Sequence, residues 1–375
     1  MSVSHLATPC ALVDLDVVER NASRMRERMG RLGVRLRPHV KTHKCTEAAR
    51  LQLGGAPGPI TVSTLAEARH FATEGFTDIT YAVPVAPERI AEALELGRKA
   101  GRLALLFDHE ATLAEIEQAG EAAGTRIPAY LKVDCGYHRA GVDPSRDASV
   151  ALAARAASSP WVELAGILTH AGHAYHCRNP REIAGVARHE RDVMVRFAET
   201  LRGAGVEVPD VSIGSTPTMS VAESLPGVTE ARPGNYLFFD AFQAAVGACT
   251  LDDCAFSVLV TVIGVYPERR ALLVNAGALA LSRDEGARHL DPDFGFGAVL
   301  SPDRSRHYWE LNVFSLSQEH GQIAVNPPRS VAEFPVGTRL RIVPNHSCLA
   351  AALFDRYHVV RGREVVDEWR PARGW

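Results

Sequence analysis

No apolar run in these 375 residues approaches the roughly 20 needed to cross a bilayer, so no membrane span is expected. The start, Met1-Ser-Val-Ser-His-Leu-Ala-Thr-Pro-Cys10, has no basic stretch followed by an apolar core, and a secretory leader is not expected either. Net charge is nearly absent: 41 Lys and Arg against 44 Asp and Glu give −3, which offers no electrostatic footprint for nucleic acid or an anionic membrane. Cysteine is sparse and unpaired in pattern. The seven (Cys10, Cys45, Cys135, Cys177, Cys249, Cys254, Cys348) are scattered and include no Cys-x-x-Cys, which excludes a disulfide framework and points to a reducing, cytoplasmic setting. Most read as small buried hydrophobes. Also missing is the Gly-x-Gly-x-x-Gly fingerprint of a dinucleotide-binding sheet.

What is present is a chain of ordinary globular composition, long enough for two domains, with 46% hydrophobic and 23% charged residues. Over the first 245 residues short apolar runs alternate with helical patterns. The runs are Leu36–Lys41, Ile60–Thr64, Asp78–Val83, Leu103–Phe107, Pro128–Asp134, Val162–His170, Asp210–Ser215 and Thr229–Tyr236. The helical stretches include Leu65–Gly75, Pro87–Gly101, Glu110–Gly124 and Arg181–Gly205, closed by glycines that take left-handed φ without penalty. Eight strand–helix units predict a parallel (β/α)8 barrel over residues 23–245. After residue 246 long helical patterns stop. Cys254–Tyr266, Arg270–Ala280, Tyr308–Leu316, Gly337–Val343 and Tyr357–Val366 read as strands of a mostly antiparallel β-domain over 246–375, joined by the N-terminal segment 1–22.

In such a barrel the chemistry collects where strands end. The loops after strands 7 and 8 carry Gly214-Ser215-Thr216 and Gly234-Asn235-Tyr236, the places where these barrels often hold a phosphate. Either alone reads equally well as an ordinary turn. Lys41 ends the apolar first strand, where partial burial would favour the neutral amine that a Schiff base requires; a side chain snorkelling outward is the plain alternative. A phosphate site across the mouth from such a lysine suggests pyridoxal 5′-phosphate.

Taken together, Arg37-Pro-His-Val-Lys41-Thr-His43, Thr169-His170, Arg232-Pro-Gly-Asn235-Tyr236 and Pro344-Asn-His346-Ser-Cys348 resemble the fold-type III pyridoxal phosphate enzymes, the alanine racemase-like barrels. Within these they resemble the D-serine dehydratase and D-threonine aldolase group over nearly the whole chain. The resemblance implies a homodimer acting on a small D-amino acid. It implies Lys41 as the cofactor-bearing lysine and base, Arg139 facing the cofactor's phenolic oxygen, and His170 against its ring. Gly214, Ser215, Thr216, Gly234, Asn235 and Tyr236 would hold the phosphate, and Tyr175 would lie on the pyridine-nitrogen side. His170, His173 and His176 form His-x-x-His-x-x-His, which on a loop has little force as a metal cluster. His173 or His176 can instead serve as a general base near a substrate hydroxyl.

His346 and Cys348 are the second signal. In an extended segment they share a face, and one imidazole with one thiolate suits Zn2+. Manganese is the alternative. The expected activity is dehydration of D-serine or a D-threo-3-hydroxy analogue to a 2-oxo acid and ammonia. Retro-aldol cleavage to glycine and an aldehyde is the alternative, and a non-catalytic cofactor carrier the third reading. An alanine racemase or decarboxylase fits His346 and Cys348 poorly.

Overall fold

The computed structural model describes all 375 residues. It forms two compact units, one of Ser23–Gly234 with Ala372–Trp375, the other of Met1–Ala22 with Asn235–Pro371. The chain thus crosses between them at Gly234, before the change of texture in the sequence.

In the first unit eight parallel strands follow one another around a barrel: Arg35–Leu36, Ile60–Val62, Asp78–Pro84, Arg102–Phe107, Ile127–Lys132, Val162–Leu168, Asp210–Ile213 and Glu230–Ala231. The first pairs with the eighth, and a bridge from His39 to Thr61 closes the ring. The strands are apolar because the helices outside cover them; Leu103–Phe107, for example, is buried throughout. Local chemistry sets the helix limits. Thr64 accepts from the Glu67 amide at 3.1 Å while Glu67 Oε2 accepts from the Ser63 amide at 2.9 Å, starting the helix Leu65–Thr73. Gly124, at φ +62°, ends Glu110–Ala123.

The first and eighth strands are far shorter than the sequence suggests. Pro38 and Pro233 have no N–H to give a ladder, and the chain turns into short 3-10 helices at Val40–Thr42 and Asn235–Leu237. Both site loops therefore begin early.

A charged network inside this unit was not legible in the sequence. Glu230, fully buried, accepts from Arg37 Nε at 2.6 Å, Arg35 Nη2 at 2.8 Å and Ser212 Oγ at 2.7 Å. Arg37 also clasps Asp78 with bonds of 2.8 and 2.9 Å. Burial opposes the charge on Arg37, but the Glu230 and Asp78 carboxylates outweigh it and raise its pKa. Glu230→Ala would leave Arg37 only its Asp78 clasp and remove the buried carboxylate that Arg35, Arg37 and Ser212 share, and a loss of about 3–5 kcal/mol in unfolding free energy is expected by denaturant titration. An unchanged midpoint would contradict this account of the network.

The second unit is a nine-stranded sheet, antiparallel except where Cys10–Asp14 runs parallel to Tyr357–Arg361. The long strand Phe256–Tyr266 pairs with Cys10–Val13 through its first half and with Ala271–Val274 through its second. Arg339–Val343 lies along its other edge, so most of the sheet closes on itself. Two short strands, Ala298–Leu300 and Gly321–Val325, escaped the sequence reading. The expected strand Tyr357–Val366 is a hairpin, Tyr357–Arg361 and Glu364–Trp369, turning at Gly362 with φ +58°. Arg270–Ala280 divides into the strand Ala271–Val274 and a helical turn, Ala278–Leu281.

Candidate active site

The barrel unit gathers most of the anticipated residues around its strand ends. Lys41 is exposed on the 3-10 turn that follows the curtailed first strand, so the expected partial burial at a strand end does not hold. Its amide donates to His39 Nδ1 at 3.4 Å. The buried lysine is Lys132, at the end of the fifth strand. Burial, with Arg232 nearby, lowers its pKa to about 7.

His170 follows the sixth strand. Burial, then the positive charges of Lys41, Lys132, Arg139 and Arg232, hold its imidazole neutral. Burial, Lys41 and Arg232 do the same for His39. Arg232 donates to Ser212 Oγ and to the Thr169 carbonyl, fixing the segment that enters His170. The Tyr137 ring lies 6.3 Å from that of His170, with the Arg139 guanidinium 5.2 Å above it. Tyr175 approaches His170 from another side at 6.4 Å. Gly172 is required here, since a Cβ would fall 2.2 Å from the Tyr137 ring.

His173 and His176 lie on a 3-10 helix, Gly172–His176, rather than an open loop. His173 is half-buried, and burial followed by His189 lowers its pKa, leaving a neutral base. His176 is exposed. No three His, Cys, Asp or Glu side chains in the chain are arranged to hold a metal.

The phosphate loops differ from expectation in their donors. The Gly214 amide is committed to Glu190 Oε1 at 3.0 Å. Ser215 caps the helix Thr216–Val221 in a reciprocal capping box with Thr218. Gly234 lies so near His39 that a Cβ would meet its carbonyl oxygen at 2.5 Å, a close approach only glycine permits. Asn235 and Tyr236 fall in the other unit. The Asn235 amide group donates to Asp240 and Ser347 at 2.8 Å each and lies 3.7 Å from Cys348 Sγ, so these contacts engage its side-chain nitrogen. The barrel residues nonetheless suit pyridoxal phosphate: two arginines and two lysines around neutral imidazoles, one of the lysines exposed, and a glycine-lined cradle that a Cβ would fill.

In the β-unit, Pro344-Asn-His346 leaves the strand Arg339–Val343 and Cys348 is the second residue of the helical turn Ser347–Ala351. The pair is adjacent because of that turn, not because the segment is extended. His346 Nδ1 bonds Asp284 Oδ2 at 3.0 Å, which fixes the ring and reserves its other nitrogen. Burial opposes protonation of His346, yet Cys348, Asp284 and Asp240 outweigh it and push its pKa up to about 11. A pocket that holds a proton this firmly suits a divalent cation in the proton's place, and the thiol makes it a soft one. Sequence reasoning missed Asp284 and Asp240, which share no motif with the pair.

Glu190 was also missed, although its signal was in the sequence. Ile183, Ala187, Glu190, Met194, Phe197 and Leu201 form one buried stripe of the helix Pro180–Gly203, and a lone acid there is anomalous.

Comparison with known proteins matches the alanine racemase N-terminal domain to residues 13–241 and a putative serine dehydratase domain to residues 255–360. D-threo-3-hydroxyaspartate dehydratase of Delftia sp. (strain HT23) is 40% identical over 99% of this chain and 98% of its own. Its solved structure superposes with a TM-score of 0.95 over the whole of both chains. Two further structures of D-threo-3-hydroxyaspartate dehydratase, each with a TM-score of 0.96, carry alanine for a cysteine, in metal-free form, and for a histidine two residues before it. D-serine dehydratase of Dictyostelium discoideum is 38% identical over 100% of this chain and 98% of its own. D-threonine aldolase of Arthrobacter sp. is 30% identical over 100% and 94%. The chain belongs to the family of alanine racemase-like pyridoxal phosphate lyases that contains these D-3-hydroxy amino acid dehydratases.

Proposed function

We propose that the protein dehydrates D-serine or a D-threo-3-hydroxy analogue to a 2-oxo acid and ammonia, with pyridoxal phosphate and zinc, as a homodimer in a reducing compartment. The observation that carries the reading is the His346–Cys348 pair steered by Asp284, in a chain whose barrel suits the cofactor. When bound, pyridoxal phosphate supplies an electron sink for the substrate's Cα, and a divalent ion supplies a Lewis acid for a departing hydroxyl.

Lys41, exposed on its turn, would bond to the cofactor and take the Cα proton. Arg139 faces the phenolic oxygen, His170 backs the ring, and Tyr175 borders the nitrogen side. Ser215, Thr216 and Gly234 would hold the phosphate, with Gly214 contributing its left-handed turn at φ +101°. His346 and Cys348 hold the ion. Loss of the β-hydroxyl with the Cα proton removes water, and hydrolysis of the resulting enamine gives the 2-oxo acid and ammonia. Zinc is favoured over manganese by the soft thiolate ligand.

Retro-aldol cleavage has one observation in its favour. His173 is a neutral base with a buried Nδ1 that has no hydrogen-bond partner, a group able to take a hydroxyl proton. Its neighbour His176, exposed on the same 3-10 helix, is the other candidate. The test is a product assay over D-serine, D-threonine and D-threo-3-hydroxyaspartate with added Zn2+ or Mn2+. A 2-oxo acid and ammonia from D-serine or D-threo-3-hydroxyaspartate are expected, and a chelator should abolish them. Glycine and acetaldehyde from D-threonine, with no 2-oxo acid from any of the three, would replace dehydration with cleavage.

A further inference from the structure

Glu190 is a fully buried acid of the barrel unit that the chemistry above does not use. It projects inward from the helix Pro180–Gly203, which joins the sixth and seventh strands. One oxygen, Oε1, accepts from two amides of two different loops, Ala171 at 3.2 Å and Gly214 at 3.0 Å. Ala171 is the residue after His170, and Gly214 the residue before the Ser215 cap. The other oxygen, Oε2, is buried and has no hydrogen-bond partner.

We propose that Glu190 is a positioning residue: it ties the loop carrying His170 to the loop that opens the phosphate site, so that ring and phosphate of pyridoxal phosphate meet a single preset surface. The inference rests on the reading that the barrel binds this cofactor. Neither amide has another acceptor within the unit's backbone ladder, and Gly214 stands at φ +101° with Met219 against it, so the loop cannot turn its N–H elsewhere cheaply. What the two loops require is an acceptor of the right reach, not a charge. Burial pushes the Glu190 carboxyl up, against its two amide bonds and the nearby Arg232 and Lys132. A neutral carboxyl still presents a carbonyl oxygen to both N–H groups.

Reach and charge are separable by substitution. Glu190→Gln keeps the oxygen and its distance but loses the charge, and places its NH2 where Oε2 has no partner to lose. Glu190→Asp keeps the charge and loses one methylene of reach. Glu190→Ala loses both. The measurement is titration of the full-length apoprotein with pyridoxal phosphate, followed by absorbance. It is paired with the rise in Tm that saturating cofactor adds to each apoprotein. The expected order is wild type and Glu190→Gln within a few-fold of each other, with Glu190→Asp and Glu190→Ala weakened by ~10-fold or more in Kd. The cofactor-induced rise in Tm should shrink in the same two variants, which a merely structural role, lowering apo and loaded forms alike, would not produce.

Glu190→Asp binding like wild type while Glu190→Gln is weakened would overturn the proposal in favour of a charge effect. So would unaltered binding in all three variants. If Glu190→Ala does not fold, the contrast between Glu190→Gln and Glu190→Asp decides alone. A wild-type apoprotein that takes up no pyridoxal phosphate would overturn the reading beneath the inference, an outcome distinct from normal uptake by every variant.

Discussion

Lys41→Ala is expected to lower turnover by about 10,000-fold, the upper range for removal of a positioned general base. Borohydride should fix pyridoxal phosphate covalently to the wild type and not to the variant, although free cofactor still binds without a bond. The structure makes this a sharper test than the sequence did. Two amines serve the barrel's strand ends: Lys41, exposed on its 3-10 turn, and Lys132, buried with a pKa lowered to about 7. A neutral amine is the better nucleophile, which speaks for Lys132, whereas freedom to swing between cofactor and Cα speaks for Lys41. We propose Lys41 on the ground of its exposure, and the pair of variants tests that choice. Covalent fixation persisting in Lys41→Ala and vanishing in Lys132→Ala would transfer the role.

Metal analysis of protein purified without chelator should find about one divalent ion per chain, falling to background in both His346→Ala and Cys348→Ala. Activity should fall with it, by at least ~1,000-fold on the scale of a lost Lewis acid worth several kcal/mol. Asp284→Asn should be milder, weakening metal affinity by roughly 10- to 100-fold, since it orients a ligand without being one. The pH dependence follows from the proton that His346 holds. Burial opposes that proton, but Cys348, Asp284 and Asp240 raise the pKa of the imidazole, so an arriving ion competes with protons for the pair. Affinity should therefore rise with pH across the neutral range and be lost on acidification. Metal content unchanged between pH 5 and pH 8 would contradict this site.

The sequence carried the architecture because the barrel writes itself as alternation. Eight apolar runs with intervening helices admit few other folds, and Gly75, Gly101, Gly124 and Gly205 all take the positive φ expected of helix ends. What escaped is what alternation does not encode. Pro38 and Pro233 cut two strands short, and with them went the assumption that Lys41 sits half-buried at a strand end. The His346–Cys348 pair was visible as a motif, but Asp284, which steers the imidazole, is 62 positions away in the chain. Asn235 was assigned to a phosphate by its motif, while the fold turns its side chain to Asp240, Ser347 and Cys348. Glu190 was legible in principle: an acid on an apolar helical stripe either disrupts the helix's packing or has buried partners waiting.

The strand Cys10–Asp14 lies inside its sheet, between Phe256–Tyr266 and Tyr357–Arg361. On the ribosome it is therefore made long before either of its neighbours. At ~5–20 residues per second, it waits roughly 10–50 s for its first neighbour to be synthesised. All that time it is an apolar segment with both hydrogen-bonding edges open, the form most prone to pair with the wrong chain. The place of Cys10–Asp14 in the sheet is consequently filled on both sides only once Tyr357–Arg361 has been made. Growth temperature and chaperone supply should thus govern the yield of intact protein more than the stability of the finished sheet does.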